Sequence, residues 1–182
     1  MSVYELPRDL PVPVDDGACS HLEGVEVPAL QLESSAGPVD LASFGADRAV
    51  LYVYPRTGRP GHDVPAEWDA IPGARGCTPQ SCGFRDHAAE LAALGAGVAG
   101  LSAQTLEEQI ELAGRLGITY PVIADPQRAL GVALSLPTFE FEGATLYRRL
   151  TLVVEEGRIA KVFYPVFPPD RNAEEVLAWL DS

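Results

Sequence analysis

An α/β fold with a mixed central sheet flanked by helices is what this sequence predicts, on three observations. Residues 49–54 and 97–102 are short continuous apolar runs, the kind that fill strands covered on both faces. Helix signals alternate with them, which calls for parallel strands joined by crossover helices. Residues 150–154 and 159–164 are β-rich runs separated by Glu-Glu-Gly-Arg, a hairpin signal that adds antiparallel strands.

The elements follow in order. Residues 1–28 read as an irregular leader broken by Pro7, Pro11, Pro13 and Pro28, ahead of a domain of residues 29–182. Tyr4, Leu10, Val12 and Leu22 suit the leader to packing along that domain. Residues 29–33 and 39–41 suggest a small strand pair turning near Gly37-Pro38. After the first long strand comes a proline- and glycine-punctuated loop, residues 55–76; loops of such length are uncommon in compact domains and often functional. A helix is expected from Thr78, with Thr78 as N-cap, Pro79 at the first helical position, and Phe84, Ala88, Leu91 and Leu94 on one face. Thr105 with Glu108 forms a capping box that opens the next helix. Its inward residues read as Leu106, Ile110 and Ala113, and Gly117 ends it. A short strand at 121–124 leads into Asp125-Pro126, which cap a helical turn through Leu134. Asn172 with Glu175 repeats the capping-box pattern and starts a closing helix with Val176, Leu177 and Leu180.

A chain of 182 residues suits one domain. Acidic residues number 26 against 13 basic ones, a net charge of −13, which argues against nucleic acid and anionic membrane surfaces as partners. No apolar run is long enough to span a bilayer. The first ten residues carry Glu5 and Asp9 and lack the apolar core of a secretory signal, so a reducing cytoplasmic location is expected. Three cysteines build neither a disulfide scaffold nor a four-cysteine zinc site, and His21, His62 and His87 are too scattered for a zinc signature; no metal or other cofactor is expected.

The chemistry concentrates at Gly76-Cys77-Thr78-Pro79-Gln80-Ser81-Cys82-Gly83-Phe84-Arg85-Asp86. Cys77 lies where the long loop meets a helix N-terminus, whose free N–H groups and dipole stabilise a thiolate. Arg75 and Arg85 are near in sequence. Cys82 is five residues on, a rise of about 7.5 Å in a regular helix, whereas a disulfide needs Cα atoms within about 7 Å. The two bridge only if the first turn unwinds, and Pro79, Ser81 and Gly83 make that turn an indifferent helix former. On these residues alone, Cys77 is either a nucleophile or a small turn residue, and Cys82 either its partner or an inert core thiol. Cys19 is an outlying thiol, a third redox partner or a residue without a role. His87 is ten residues past Cys77, about 15 Å along a regular helix, and makes a poor general base for it.

Gly-Cys-Thr followed after three residues by Cys-x-Phe-Arg-Asp resembles the peroxidatic motif of the peroxiredoxins, in particular the bacterioferritin-comigratory or peroxiredoxin Q-like subfamily. The resemblance extends over most of residues 29–164. It takes in the strand ending Tyr54-Pro55, the Leu-Gly-Ile-Thr-Tyr-Pro-Val-Ile-Ala-Asp segment at 116–125, and Arg149 ahead of Leu-Thr-Leu-Val-Val. It implies a thioredoxin-like fold and thiol-dependent peroxide reduction. Cys77 would be the peroxidatic cysteine and pass through a sulfenic acid. Cys82 would be the resolving cysteine of an intramolecular disulfide, and a thioredoxin-like dithiol the reductant. Arg149 would keep Cys77 ionised, in preference to its neighbour Arg148; strand alternation sends the two to opposite faces without fixing which one faces inward. An intramolecular resolving cysteine makes a monomer or weak homodimer sufficient.

Two features depart from the family pattern. Ala74 stands where a hydroxyl is usual, three residues before the cysteine, and 21 residues separate Pro55 from Cys77 where a handful is usual. Either Thr57 or Thr78 would then supply the hydroxyl, or its role is lost. Trp68, in the enlarged loop, either covers the thiolate pocket or anchors the loop. The alternative function is a thioredoxin-like thiol-disulfide oxidoreductase or redox sensor with weak peroxidase activity, which the missing hydroxyl favours and the absence of a C-x2-C motif opposes.

Overall fold

Five strands form the central sheet of the computed structural model, which describes residues 3–182. In chain order the elements are β1 (Gln31–Leu32), β2 (Val39–Asp40), α1 (Leu41–Phe44), β3 (Arg48–Val53), α2 (Ala66–Asp69), α3 (Cys77–Asp86), α4 (Ala88–Ala93), β4 (Ala96–Ser102) and α5 (Leu106–Leu116). There follow β5 (Val122–Ala124), α6 (Ala129–Leu134), β6 (Thr138–Phe141), β7 (Ala144–Tyr147), β8 (Leu150–Glu155), β9 (Arg158–Phe163) and α7 (Asn172–Leu180), the last entered through a 3-10 turn at Pro169–Arg171. The sheet order is β5-β4-β3-β8-β9. The first three of these are parallel; β8 runs antiparallel to β3, and β9 to β8. This is the mixed sheet of a thioredoxin-like fold.

The continuous apolar run of β3 has a direct reason. Ala49, Leu51 and Val53 enter one core, with Leu22, Ile123, Leu130 and Tyr147, while Val50, Tyr52 and Tyr54 enter a second core on the other face, with Phe84, Leu91, Leu112 and Val176. Both faces of the strand are covered, so neither set of alternating positions is polar. Gly100 on β4 leaves room for the Tyr52 ring, whose atoms lie 2.6–3.0 Å from where a Cβ would stand. Among the described residues no helix is long and apolar enough to cross a membrane.

Several local expectations hold. The small strand pair forms, in the register Gln31 to Asp40 and Leu32 to Val39. The Thr105–Glu108 capping box is present, and Gly117 closes α5 in the left-handed conformation at φ 65°. Asp125 receives the Ala129 and Leu130 N–H groups at the start of α6, although the N-cap position itself is Arg128, in the left-handed conformation.

Others are corrected. Gly76, at φ 113°, is the N-cap of α3, and Thr78 lies inside the helix. The expected single helix breaks at His87 into α3 and α4. Asn172 does not cap α7 either: Arg171 holds that position, and the Asn172 side chain turns into the core. The buried face of α5 is Gln109, Leu112, Ala113 and Leu116, while Ile110 faces out; the polar Gln109 takes the inward place because it bonds Tyr54, Ser102 and the Ile123 carbonyl. The β6–β7 hairpin was not anticipated. Its signal is the alternation of Phe139 and Phe141 before a Glu142-Gly143 turn with positive φ at both residues.

Candidate active site

The first residue of α3 is Cys77. Its place depends on Gly76, whose left-handed backbone turns the chain out of the long loop, and whose missing side chain leaves room for Pro169 and Leu6. The sulfur sits at the N-terminus of a ten-residue helix, where N–H groups lack intrahelical partners. Cys77 is only 3% exposed and lies at a pocket of about 550 Å³, lined among others by Thr57, Val64, Trp68, Thr78, Gln104 and Leu146.

Arg149, in the turn between β7 and β8, reaches the sulfur with Nη2 at 3.1 Å. The same nitrogen donates to Ala74 O at 2.9 Å, Nε to Gly73 O at 3.3 Å and Nη1 to Gln80 Oε1 at 2.5 Å. Arg148 goes the other way and lies over the Phe139 ring, 5.4 Å from its centroid. Alternation therefore separates the two arginines as expected.

Gln80 was missed by sequence reasoning. Its Nε2 donates to Asn172 Oδ1 at 3.0 Å, and that oxygen also receives Thr151 Oγ1 at 2.7 Å. Arg149, Gln80, Asn172 and Thr151 are all buried. A glutamine in a helix and an asparagine ahead of another carry no sequence signal that they meet; only the pattern of three polar residues, Thr78, Gln80 and Ser81, in a helix bounded by cysteines hinted at a polar interior.

The remaining candidates are placed as follows. Thr57 and Thr78 both line the pocket, and Thr57 is bonded to Gln104 through its N–H at 3.1 Å and its hydroxyl. Ala74 contributes its carbonyl, which accepts from Arg149 and faces Cys77 Sγ at 3.8 Å. Cys82 is half-buried on the same helix; burial pushes its thiol up, and nearby Arg85 opposes this. Arg85 thus belongs to Cys82 and not to Cys77, its guanidinium spanning Asp86 and the Leu116 carbonyl. Arg75 lines the pocket and pairs with Asp69 at 2.9 Å. Cys19 is a core residue, 6% exposed, and burial pushes its thiol up to about 12 with help from Asp16 and Asp15. All three cysteines are free thiols. His21 bonds the Leu134 carbonyl and His87 bonds Glu90, neither near Cys77.

Trp68 does both things the sequence allowed. Its indole anchors the loop on the hairpin, with ring centroids 5.9 Å from Phe139 and 5.0 Å from Phe141, and it forms part of the pocket wall. Arg56 lies over it at 4.9 Å. The leader closes the same region: Arg115 on α5 donates to Tyr4 Oη and to the Gly58 carbonyl.

Comparison with known proteins finds relatives over most of the chain. The family model described as Redoxin matches residues 22–177. A protein named as a peroxiredoxin in Mycobacterium tuberculosis is 30% identical over 148 residues, covering 79% of this chain and 85% of its own length. Peroxiredoxin Bcp of Bacillus subtilis is 26% identical over 156 residues, 83% of this chain and 90% of that one. The crystal structure of peroxidoxin BcpB from Mycobacterium tuberculosis superposes with a TM-score of 0.71 at 26% identity, covering 88% of this chain and 97% of that one.

Proposed function

The chain belongs to the Redoxin family and is a peroxiredoxin, a thiol-dependent peroxidase, and from that premise we propose that it reduces hydrogen peroxide and small organic hydroperoxides through Cys77, with Cys82 as the resolving thiol. The observation that carries the reading is the 3.1 Å approach of Arg149 Nη2 to Cys77 Sγ. A guanidinium keeps its charge at any accessible pH. Its other acceptors here, the Gly73 and Ala74 carbonyls and the Gln80 amide, are uncharged, and Arg149 makes no ion pair with a carboxylate among the described residues. A thiolate at Cys77 is the one anion placed to balance that buried charge, and the first turn of α3 adds its N–H groups.

The thiolate attacks one oxygen of the hydroperoxide. An S–O bond forms as the O–O bond breaks, sulfur is oxidised to a sulfenic acid, and the other oxygen leaves with the electron pair, taking a proton to become alcohol or water. Arg149 stabilises the charge developing on that oxygen. Thr57 and Thr78, both on the pocket wall, supply hydroxyls to the peroxide in place of the one absent at Ala74. The first turn of α3 then unwinds. The Cys82 sulfur attacks the Cys77 sulfur; the S–S bond forms, the S–O bond breaks and water leaves. A thioredoxin-like dithiol returns two electrons and restores both thiols. The resolving thiol lies in the same chain, so a monomer or weak homodimer is enough, and free thiols of this kind suit a reducing cytoplasm.

Stopped-flow tryptophan fluorescence of the reduced protein mixed with hydrogen peroxide tests this. The second-order rate is expected to exceed that of a free thiol by orders of magnitude and to vanish in Cys77→Ser; a rate like a free thiol's overturns the reading. In Cys82→Ser, mass spectrometry is expected to find Cys77 as sulfenic acid passing to sulfinic acid. A stable Cys77–Cys19 link in its place would remove Cys82 from the mechanism.

A further inference from the structure

We propose that Gln80 is a positioning residue that ties α3 to the elements behind it, and that this tie sets the rate at which the Cys77 sulfenic acid is resolved. The proposal rests on the reading of Cys77 and Cys82 just given. Gln80 lies between the two cysteines, three residues past Cys77, and is 1% exposed. Its amide faces two ways. Oε1 accepts from Arg149 Nη1 at 2.5 Å, and Nε2 donates to Asn172 Oδ1 at 3.0 Å. Thr151 Oγ1 donates to the same Asn172 oxygen. One side chain therefore joins α3, the residue ahead of β8 and the first residue of α7. All of these groups are buried, so water does not take over a bond that breaks.

Resolution requires that bond-breaking. The intact helix keeps Cys77 and Cys82 about 7.5 Å apart along its axis, beyond disulfide reach. The far half of α3 is held independently, since Phe84 stacks on Tyr52 at 4.5 Å and Ser81 Oγ accepts from Tyr52 Oη at 3.2 Å. The segment left to swing is the turn from Cys77 to Gln80, and its side-chain ties are Arg149 to the sulfur and Gln80 to Arg149 and Asn172. Oxidation weakens the first, because a thiolate becomes a neutral sulfenic acid and a charge-assisted contact becomes an ordinary one. Oxidation leaves the amide bonds of Gln80 as they were. The arginine contact is thus released by the reaction itself, and the glutamine tie is what remains to be broken before Cys82 can attack.

Stopped-flow fluorescence separates the two steps, because oxidation scales with peroxide concentration and resolution does not. In Gln80→Ala, which removes two bonds, the peroxide-independent phase is expected to accelerate at least about fivefold, the factor that one net hydrogen bond carries. The peroxide-dependent phase is expected to slow, because Arg149 loses an acceptor. Opposite movement of the two phases is not what a general loosening of the fold produces. In Thr151→Val, outside α3, the first-order phase is expected to accelerate by a smaller factor, about twofold, since Asn172 loses one of its two donors. An unchanged first-order rate in Gln80→Ala overturns the proposal; if that variant does not fold, an unchanged first-order rate in Thr151→Val overturns it. No rapid oxidation of the unsubstituted protein, or a first-order phase that survives Cys82→Ser, would overturn the reading of the two cysteines and not the tie alone.

Discussion

Behind the Cys77 sulfur the site is held by hydrogen bonds among buried side chains; in front of it, by one indole, two exposed ion pairs and the more covered Arg75–Asp69 pair. The rear wall is Arg149, Gln80, Asn172 and Thr151, drawn from α3, the β8 approach and α7. The front wall is the enlarged loop, pinned by Arg56 to Glu142 at 3.1 Å and by Arg59 to Glu108 at 2.9 Å, with Glu142 58% and Arg59 71% exposed. Buried polar groups that lose a partner stay desolvated and unpaired, whereas surface ion pairs exchange freely with water. On the proposed mechanism the rear wall fixes where charge sits during the reaction, and the front wall admits and shapes what reacts.

The sharpest test of that division is Arg149→Gln. Removing the cation that bonds the sulfur is expected to lower the second-order rate of Cys77 oxidation by about 10²–10³, by analogy with loss of an oxyanion-hole donor. A loss under tenfold would blur the contrast between the walls. Gly76→Ala comes next. A Cβ there collides with Pro169 and Leu6 in a left-handed backbone, so urea unfolding should show a loss of about 1–3 kcal/mol from crowding alone. On the front wall, Trp68→Ala is expected to change the ratio of rates on a bulky aromatic hydroperoxide and on hydrogen peroxide by about tenfold, the scale of one altered apolar contact surface. An unchanged ratio would reduce the indole to an anchor. Smallest is Glu142→Gln, which breaks an exposed ion pair worth about 0–1 kcal/mol and should leave both rates nearly unmoved. The pH dependence sharpens the comparison further. Because burial pushes Cys82 above the ordinary thiol range, the first-order resolving phase should still rise with pH at 9, as the attacking thiolate fraction grows.

The sequence was legible where one residue type has one physical use. A six-residue apolar run has few homes other than a doubly covered strand, and β3 is there. Thr105 with Glu108, and Gly117 eleven residues past Leu106, bracket α5 because caps are local chemistry. Cys77 drew attention for a related reason, as a thiol at a helix start; Arg149 was named only through the resemblance, with Arg148 beside it as the other candidate. What was not legible depends on partners distant in sequence. Gln80 and Asn172 are 92 residues apart and either could have faced water. Ile110 looked like core until Gln109 found three partners inside. Thr78 looked like the cap because hydroxyls usually cap, but the chain arrives with positive φ at Gly76, and that geometry moved the helix start by two residues.

The burial of Cys77 also bears on how this protein would look to a chemist counting thiols. A bulky maleimide or alkylating reagent ranks cysteines by access, so half-buried Cys82 labels first, while Cys77 at its pocket and Cys19 in the core both lag. A hydroperoxide ranks them by polarisation and would find Cys77 first. On the proposed mechanism, a redox survey based on large probes would therefore score the reacting sulfur among the unreactive ones, and only a probe the size of the substrate would correct the order.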